Sequence, residues 1–190
     1  MPGCITGGDD DVGNGIATLI KSRRSIRAFT LQAVPEYILR ELVEAGTWAP
    51  SGSNVQAWRF VIVTDVGKIE AISAFSPGLQ GGPPAVIVLC TDRKIAFEKA
   101  GSLGRDELCT MDISMAAQNI LLLATEKGLG TCPVHSFNKN ALSRILKLPE
   151  HIWPDLIISI GYADESPVPP TRQALDHVCF FNEWGGCDDA

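Results

Sequence analysis

Residues 21–27 read Lys21-Ser22-Arg23-Arg24-Ser25-Ile26-Arg27, four cations in seven positions with no acid among them. The whole chain, 190 residues long, carries a formal net charge of -6. Cations this close repel one another unless an anion sits between them. Arg23, Arg24 and Arg27 present planar forks of N–H donors that match phosphate oxygens, and Ser25 adds a hydroxyl. Two readings follow. The cluster holds the phosphate of a small bound cofactor, or it is a solvated basic turn at the end of a helix. Short charge runs usually lie at the surface, so taken alone the run reads as a turn. The rest of the chain shifts that balance.

Upstream, residues 1–15 contain Gly7-Gly8-Asp9-Asp10-Asp11 and Gly13-Asn14-Gly15, a composition that predicts a flexible arm and not a signal peptide. Ile16, Leu19 and Ile20 then recur at helical spacing, so a short helix over 16–22 delivers the basic run. Downstream, Pro35 opens a second helix, with Ile38, Leu39, Leu42 and Val43 on one face and a stop at Gly46. Ala49-Pro50-Ser51-Gly52-Ser53-Asn54 is a turn-rich segment of small residues. It is either a plain loop or a stretch whose backbone approaches a flat ligand. Gln56 and Trp58 lead into a strand at Phe60–Val63.

A short helix is expected over 68–75, a Gly/Pro loop over 77–84, and a strand covered on both faces at Ala85–Cys90. Residues 91–104 read as a loop or excursion with some helix. The longest helical pattern runs from Asp106 to Lys127, with apolar and small residues on more than one face. It is expected to be largely buried, with Met111 and Met115 filling core. Gly128 is a natural C-cap. Asn138 caps a last helix carrying Leu142, Ile145 and Leu146, and Leu156–Ile160 is a further strand. From Tyr162 the chain is proline-rich and aperiodic, as expected of a tail laid over another surface. The order of elements predicts a single α+β domain over 16–190, with helices packed on a mixed sheet.

Composition narrows the function classes. The pI near 5.0 argues against nucleic-acid binding, and no apolar run approaches the ~20 residues of a membrane span. Hydrophobic residues make up 45% of the chain, which hints at buried surface beyond a monomer's core and so at an oligomer. The six cysteines form no C-x-x-C pair and no zinc-like spacing, so a reducing cytoplasm is the simplest compartment. Whether Cys179 and Cys187 pair is left open. There is no G-x-G-x-x-G after a strand, no P-loop and no G-x-S-x-G. His135, His151 and His177 lack metal-ligand spacing, and no carboxylate pair stands out as an acid/base couple. An enzyme with this inventory leaves its hard chemistry to a cofactor.

Three segments then fall into one pattern. Arg23-Arg24-Ser25-Ile26-Arg27-Ala28-Phe29 resembles the "R-R-S-x-R-x-F" opening of the nitroreductase family of FMN-dependent oxidoreductases. Ala49 to Trp58 resembles its "A-P-S-x-x-N-x-Q-P-W", with Ala57 where proline is usual. Gly128-Leu129-Gly130-Thr131, after a long helix, is similar to its "G-L-G-T", and Gly161-Tyr162 followed by prolines and Arg172 matches its ending. The resemblance covers nearly all of the chain after residue 16.

The resemblance implies an α+β fold in an intertwined homodimer, with FMN at the subunit interface and NAD(P)H as reductant. It implies that Arg23, Ser25 and Arg27 hold the FMN phosphate and ribityl chain, joined by Arg172, with Arg24 as an extra contact. Pro50, Ser51 and Gly52 would lie against the flavin from the partner subunit, and Asn54 and Gln56 would brace that loop or reach the flavin. Pro133, Val134, His135 and Ser136 match the segment facing the ring's reactive edge, with the His135 and Ser136 N–H groups as donors. No side chain is assigned a catalytic role, because flavin N5 carries the chemistry, and no metal is implied. Pro170 stands where a lysine is frequent, so the phosphate clamp has one charge fewer.

The activity so implied is ping-pong reduction of nitroaromatics, quinones or related acceptors. The same fold also admits dehalogenation, flavin breakdown or desaturation, and a flavin-binding redox module without turnover. The residues do not separate NADH from NADPH.

Overall fold

A computed structural model describes residues 15–185. The arm expected over 1–15 therefore lies outside the described residues, Gly15 apart, as does Cys187. Six α-helices and four strands alternate irregularly. They are α1 (Ile16–Ser22), α2 (Glu36–Thr47), β1 (Trp58–Val63), α3 (Val66–Ser73), β2 (Ala85–Asp92), α4 (Arg93–Leu103), α5 (Cys109–Glu126), β3 (Gly130–Val134), α6 (Lys139–Ile145) and β4 (Ile152–Gly161).

β2 shows why the sheet sits in the middle. All eight of its residues are buried, and side chains alternate across a strand. Ile87 and Leu89 pack with Leu39 and Leu42 of α2 and Ile113, Ala116 and Ile120 of α5. Val86, Val88 and Cys90 pack on the other face with Ile69 and Ile72 of α3 and Leu142 of α6. The continuous apolar run is thus the mark of a strand sandwiched between two helical layers. Leu42 and Ile87 are fully buried, and truncating either to alanine costs about 2–5 kcal/mol.

The strand order is β1-β2-β4-β3, and every neighbouring pair is antiparallel. The mixed sheet expected from the sequence is met only by one isolated parallel bridge, Ser25 to Thr131. A run covered on both faces usually signals parallel strands. Here an antiparallel sheet is covered on both faces, so the double cover expected at 85–90 holds without parallel pairing.

Three other expectations need correction. Residues 91–104, expected to be a loop or excursion with some helix, are helical over 93–103, and the Asp92 carboxylate caps α4 by accepting the Ile95 N–H at 3.0 Å. α4 kinks at Ala100 and Gly101 and runs through a π-turn (Gly104–Leu108) into α5. α5 buries one stripe, Cys109, Asp112, Ile113, Ala116, Ala117, Ile120, Leu121 and Ala124. Met111 and Met115 lie off that stripe and are 58% and 37% exposed, so they do not fill this chain's core. Finally, the run Arg93–Glu126 is by length and composition apolar enough to cross a membrane. Part of that apolar character is the stripe of α5 packed in the core, Ile113, Ala116, Ala117, Ile120, Leu121 and Ala124.

Candidate cofactor site

After α1 the chain runs extended between β3 and the residues beyond β4. Ser25 bridges Thr131, and the Ile26 N–H donates to the Thr131 carbonyl at 2.9 Å. Phe29 bridges Ala163, and the Thr30 N–H donates to the Tyr162 carbonyl at 2.9 Å. Ile26 and Phe29 are buried, which leaves Arg23, Arg24 and Ser25 half-buried and Arg27 exposed. Arg24 Nη1 is used locally, donating to the Lys21 and Arg23 carbonyls at 2.6 and 2.8 Å. Arg23 Nη1 is buried without an acceptor, and so is the Thr131 hydroxyl. Among the described residues no carboxylate pairs with Arg23, Arg24 or Arg27. A buried cationic donor with no acceptor is costly, and an anionic group bound here would remove that cost. The donor set therefore fits the phosphate of FMN.

Pro133 and Val134 end β3, and His135 and Ser136 follow at once. Val134 is buried and the other three are exposed. Neither the His135 nor the Ser136 N–H meets an acceptor among the described residues. The Pro77–Pro84 loop joins this strand end to the arginines. A side chain at Gly78 would meet Ser136 Oγ at 2.4 Å, and one at Gly81 would meet the Arg27 carbonyl oxygen at 1.8 Å. Arg23–Arg27 and Pro133–Ser136 thus lie along one edge of the sheet, that of β3.

The Pro50–Gln56 loop has its own construction. Ser53, Asn54 and Gln56 all adopt positive φ, at 51°, 54° and 53°. Such backbone costs energy for residues other than glycine and persists only where the surroundings enforce it. The Gly52 N–H donates to Asp112 Oδ1 at 3.1 Å, and the Gln56 N–H to Ser51 Oγ at 3.2 Å. Gln56 Nε2 donates to Asn54 Oδ1 at 2.8 Å. Arg59 Nη1 reaches the Gln56 carbonyl at 3.5 Å while its Nη2 pairs with Asp92 at 3.0 Å. Burial raises the pKa of Asp112 above the ordinary aspartate value, and the Gly52 N–H opposes that rise in part.

This loop lies at the other corner of the sheet. It precedes β1, which is three strands from β3. Trp58 pairs with Thr91 at one end of the ladder, whereas Thr131 pairs with Ile160, itself opposite Ala85 at the other. With strands ~4.8 Å apart and ~3.3 Å of rise per residue, the corners are about 25 Å apart. α5 gives the same geometry: Asp112 near its start touches the loop, and Gly130 follows its end. Within one chain, Pro50, Ser51, Gly52, Asn54 and Gln56 are not brought to the arginines. Arg172 is exposed in the segment after β4 and makes no hydrogen bond or ion pair among the described residues.

Thr131 stands out only within the Gly128–Thr131 motif, and Gly78, Gly81 and Glu165 carry no sequence signal of a role. Glu165 Oε1 accepts the N–H groups of both Arg27 and Ala28, the latter at 3.1 Å. An acid four residues past a strand carries no signal of such a role.

The profile of the nitroreductase family matches residues 20–80 and 73–162. An NADH dehydrogenase of Thermus thermophilus is 30% identical over 193 residues, spanning 86% of this chain and 94% of that protein. An FMN reductase (NADPH) of Bacillus subtilis is 27% identical over 192 residues, spanning 89% of this chain and 75% of its own. The crystal structure of a nitroreductase family protein from Streptococcus pneumoniae TIGR4 superposes with a TM-score of 0.80 at 23% identity. It covers 87% of this chain and 98% of the other.

Proposed function

Because this chain belongs to the nitroreductase family, we propose that it is an FMN-dependent oxidoreductase that takes electrons from NAD(P)H and passes them to electron-poor acceptors such as nitroaromatics or quinones. The observation that carries this reading is the buried, unpartnered Arg23 Nη1 in a cluster whose guanidinium groups pair with no carboxylate among the described residues. Bound there, FMN supplies a ring that accepts and returns hydride.

The chain's own residues bind and orient. Arg23, Ser25 and Arg27 hold the phosphate and ribityl chain through charge-assisted hydrogen bonds, and Arg172 joins them from the tail. The open N–H groups of His135 and Ser136 are donors for the polar edge of the ring, where preorganised dipoles favour developing negative charge. The Pro50–Gln56 loop, about 25 Å from the arginines in its own chain by strand geometry, completes the site from a second copy. The working unit is then a homodimer, and residues 16–190 act as one domain. Donor and acceptor occupy the same space in turn, as ping-pong kinetics requires. The free Cys90, Cys109, Cys132 and Cys179 fit a reducing cytoplasm.

The test is spectroscopic. Purified protein, as isolated or after incubation with FMN, should show a flavin spectrum that bleaches with NADH or NADPH and returns with menadione or nitrofurazone. A protein that stays colourless with added FMN overturns the reading.

A further inference from the structure

Glu165 sits four residues beyond β4, beside the arginine cluster. An acid so placed in a basic cluster ordinarily pairs with a guanidinium. Glu165 instead takes two successive backbone N–H groups, those of Arg27 and Ala28, on the single oxygen Oε1. Among the described residues it forms no ion pair. The carbonyl of the Arg27–Ala28 peptide is closely packed. The Arg27 carbonyl abuts Gly81, where φ is +77° and a Cβ would fall 1.8 Å from the oxygen. Ala28 is held through its carbonyl by the Asp164 N–H at 2.9 Å. Arg27 is therefore held through its N–H, its carbonyl packs against Gly81, and its exposed side chain makes no hydrogen bond or ion pair among the described residues.

We propose that Glu165 is the positioning residue of the phosphate site: its carboxylate pins the Arg27–Ala28 backbone so that the guanidinium of Arg27 is presented to the ligand without being neutralised. The inference rests on the reading of Arg23, Ser25 and Arg27 as the FMN phosphate site. It deepens that reading by naming the residue that sets their geometry. One oxygen bridging two successive N–H groups fixes both at a single point. A glutamine at 165 keeps an acceptor oxygen of the same reach. An alanine removes it, and an aspartate withdraws it by one methylene.

Two readouts test this. Amide hydrogen exchange at Arg27 and Ala28, measured on the FMN-free protein, reports the grip directly. FMN affinity, measured by flavin fluorescence, reports its consequence. Glu165→Ala should speed exchange at both amides by about tenfold or more and weaken FMN by about tenfold. Glu165→Gln should stay within about threefold of the unchanged protein in both, since the acceptor is kept. Wild-type exchange and affinity in Glu165→Ala would overturn the proposal. Equal loss in Glu165→Gln and Glu165→Ala would also overturn it, because charge and not position would then matter. If Glu165→Ala does not fold, Glu165→Asp decides: unchanged amide protection there refutes the grip. If the unchanged protein takes no FMN, the cofactor reading fails, and the exchange experiment still judges Glu165.

Discussion

The backbone N–H of Gly52 donates to Asp112 Oδ1 at 3.1 Å and so ties the Pro50–Gln56 loop to the first turn of α5. Asp112 is 5% exposed, and burial holds its pKa above the usual 3.8. The ionised carboxylate therefore disfavours the folded state at neutral pH. That cost disappears as pH falls through the raised folded pKa to below 3.8. Asp112→Asn keeps an acceptor for Gly52 without the charge. It should be more stable than the unchanged protein at pH 7, with the gap closing in acid. Asp112→Ala leaves the N–H unpaired and should lose about 1–3 kcal/mol. Urea unfolding across pH checks both.

Arg23→Ala should separate binding from stability. Removing a buried, unpartnered cationic donor leaves the FMN-free protein as stable as before or slightly more so. FMN affinity should fall by about tenfold or more, since a hydrogen bond to a charged group contributes about 1.5–3 kcal/mol. Thermal melts with and without FMN read both effects, because a ligand bound only by the folded state raises the midpoint.

Gly81 and Gly82 form an internal control. Both have positive φ, but only at Gly81 would a Cβ meet backbone, the carbonyl of Arg27. Gly82→Ala should cost about 1 kcal/mol from backbone conformation alone. Gly81→Ala should cost more, about 2 kcal/mol or above, and should weaken FMN because Arg27 must shift. Chemical denaturation and FMN titration of the two variants make the comparison.

The thiols should divide by burial. Cys90, Cys109 and Cys132 are buried and Cys179 is exposed. Burial, aided by the Asp155 charge, pushes the Cys90 thiol up to about 12. Iodoacetamide at mildly alkaline pH should modify Cys179 in the native protein and spare the other three until it unfolds. Peptide mass mapping distinguishes them.

Association can be read at Trp48. This residue is 81% exposed and lines a groove of about 880 Å³ with Ile16, Leu19, Leu122 and Leu123. If a second copy covers this face, the protein should sediment as a dimer. Trp48→Arg should then shift it toward monomer and lower FMN retention in parallel.

Much of the architecture could be read from local pattern. The helix at 16–22, the Asn138 cap and the doubly covered strand at 85–90 are set by neighbours in sequence, through periodicity and side-chain capping. β3 escaped because Gly130 and Pro133 are poor strand residues, and its pairing with β4 comes from residues some thirty positions away. The exposure of Met111 and Met115 escaped because an apolar side chain does not reveal which face of its helix meets the sheet.

The chain's order of residues alone determined which chemistry was available: guanidinium forks, small-residue loops and open N–H groups, with no acid/base couple to rival a cofactor. The tertiary structure decided where those groups stand. Antiparallel pairing carries the Pro50–Gln56 loop to the corner opposite the arginines, and a carboxylate far along the chain closes on the backbone of Arg27. Such contacts depend on strand register and chain crossing, which join residues distant in sequence and leave no periodic trace within it.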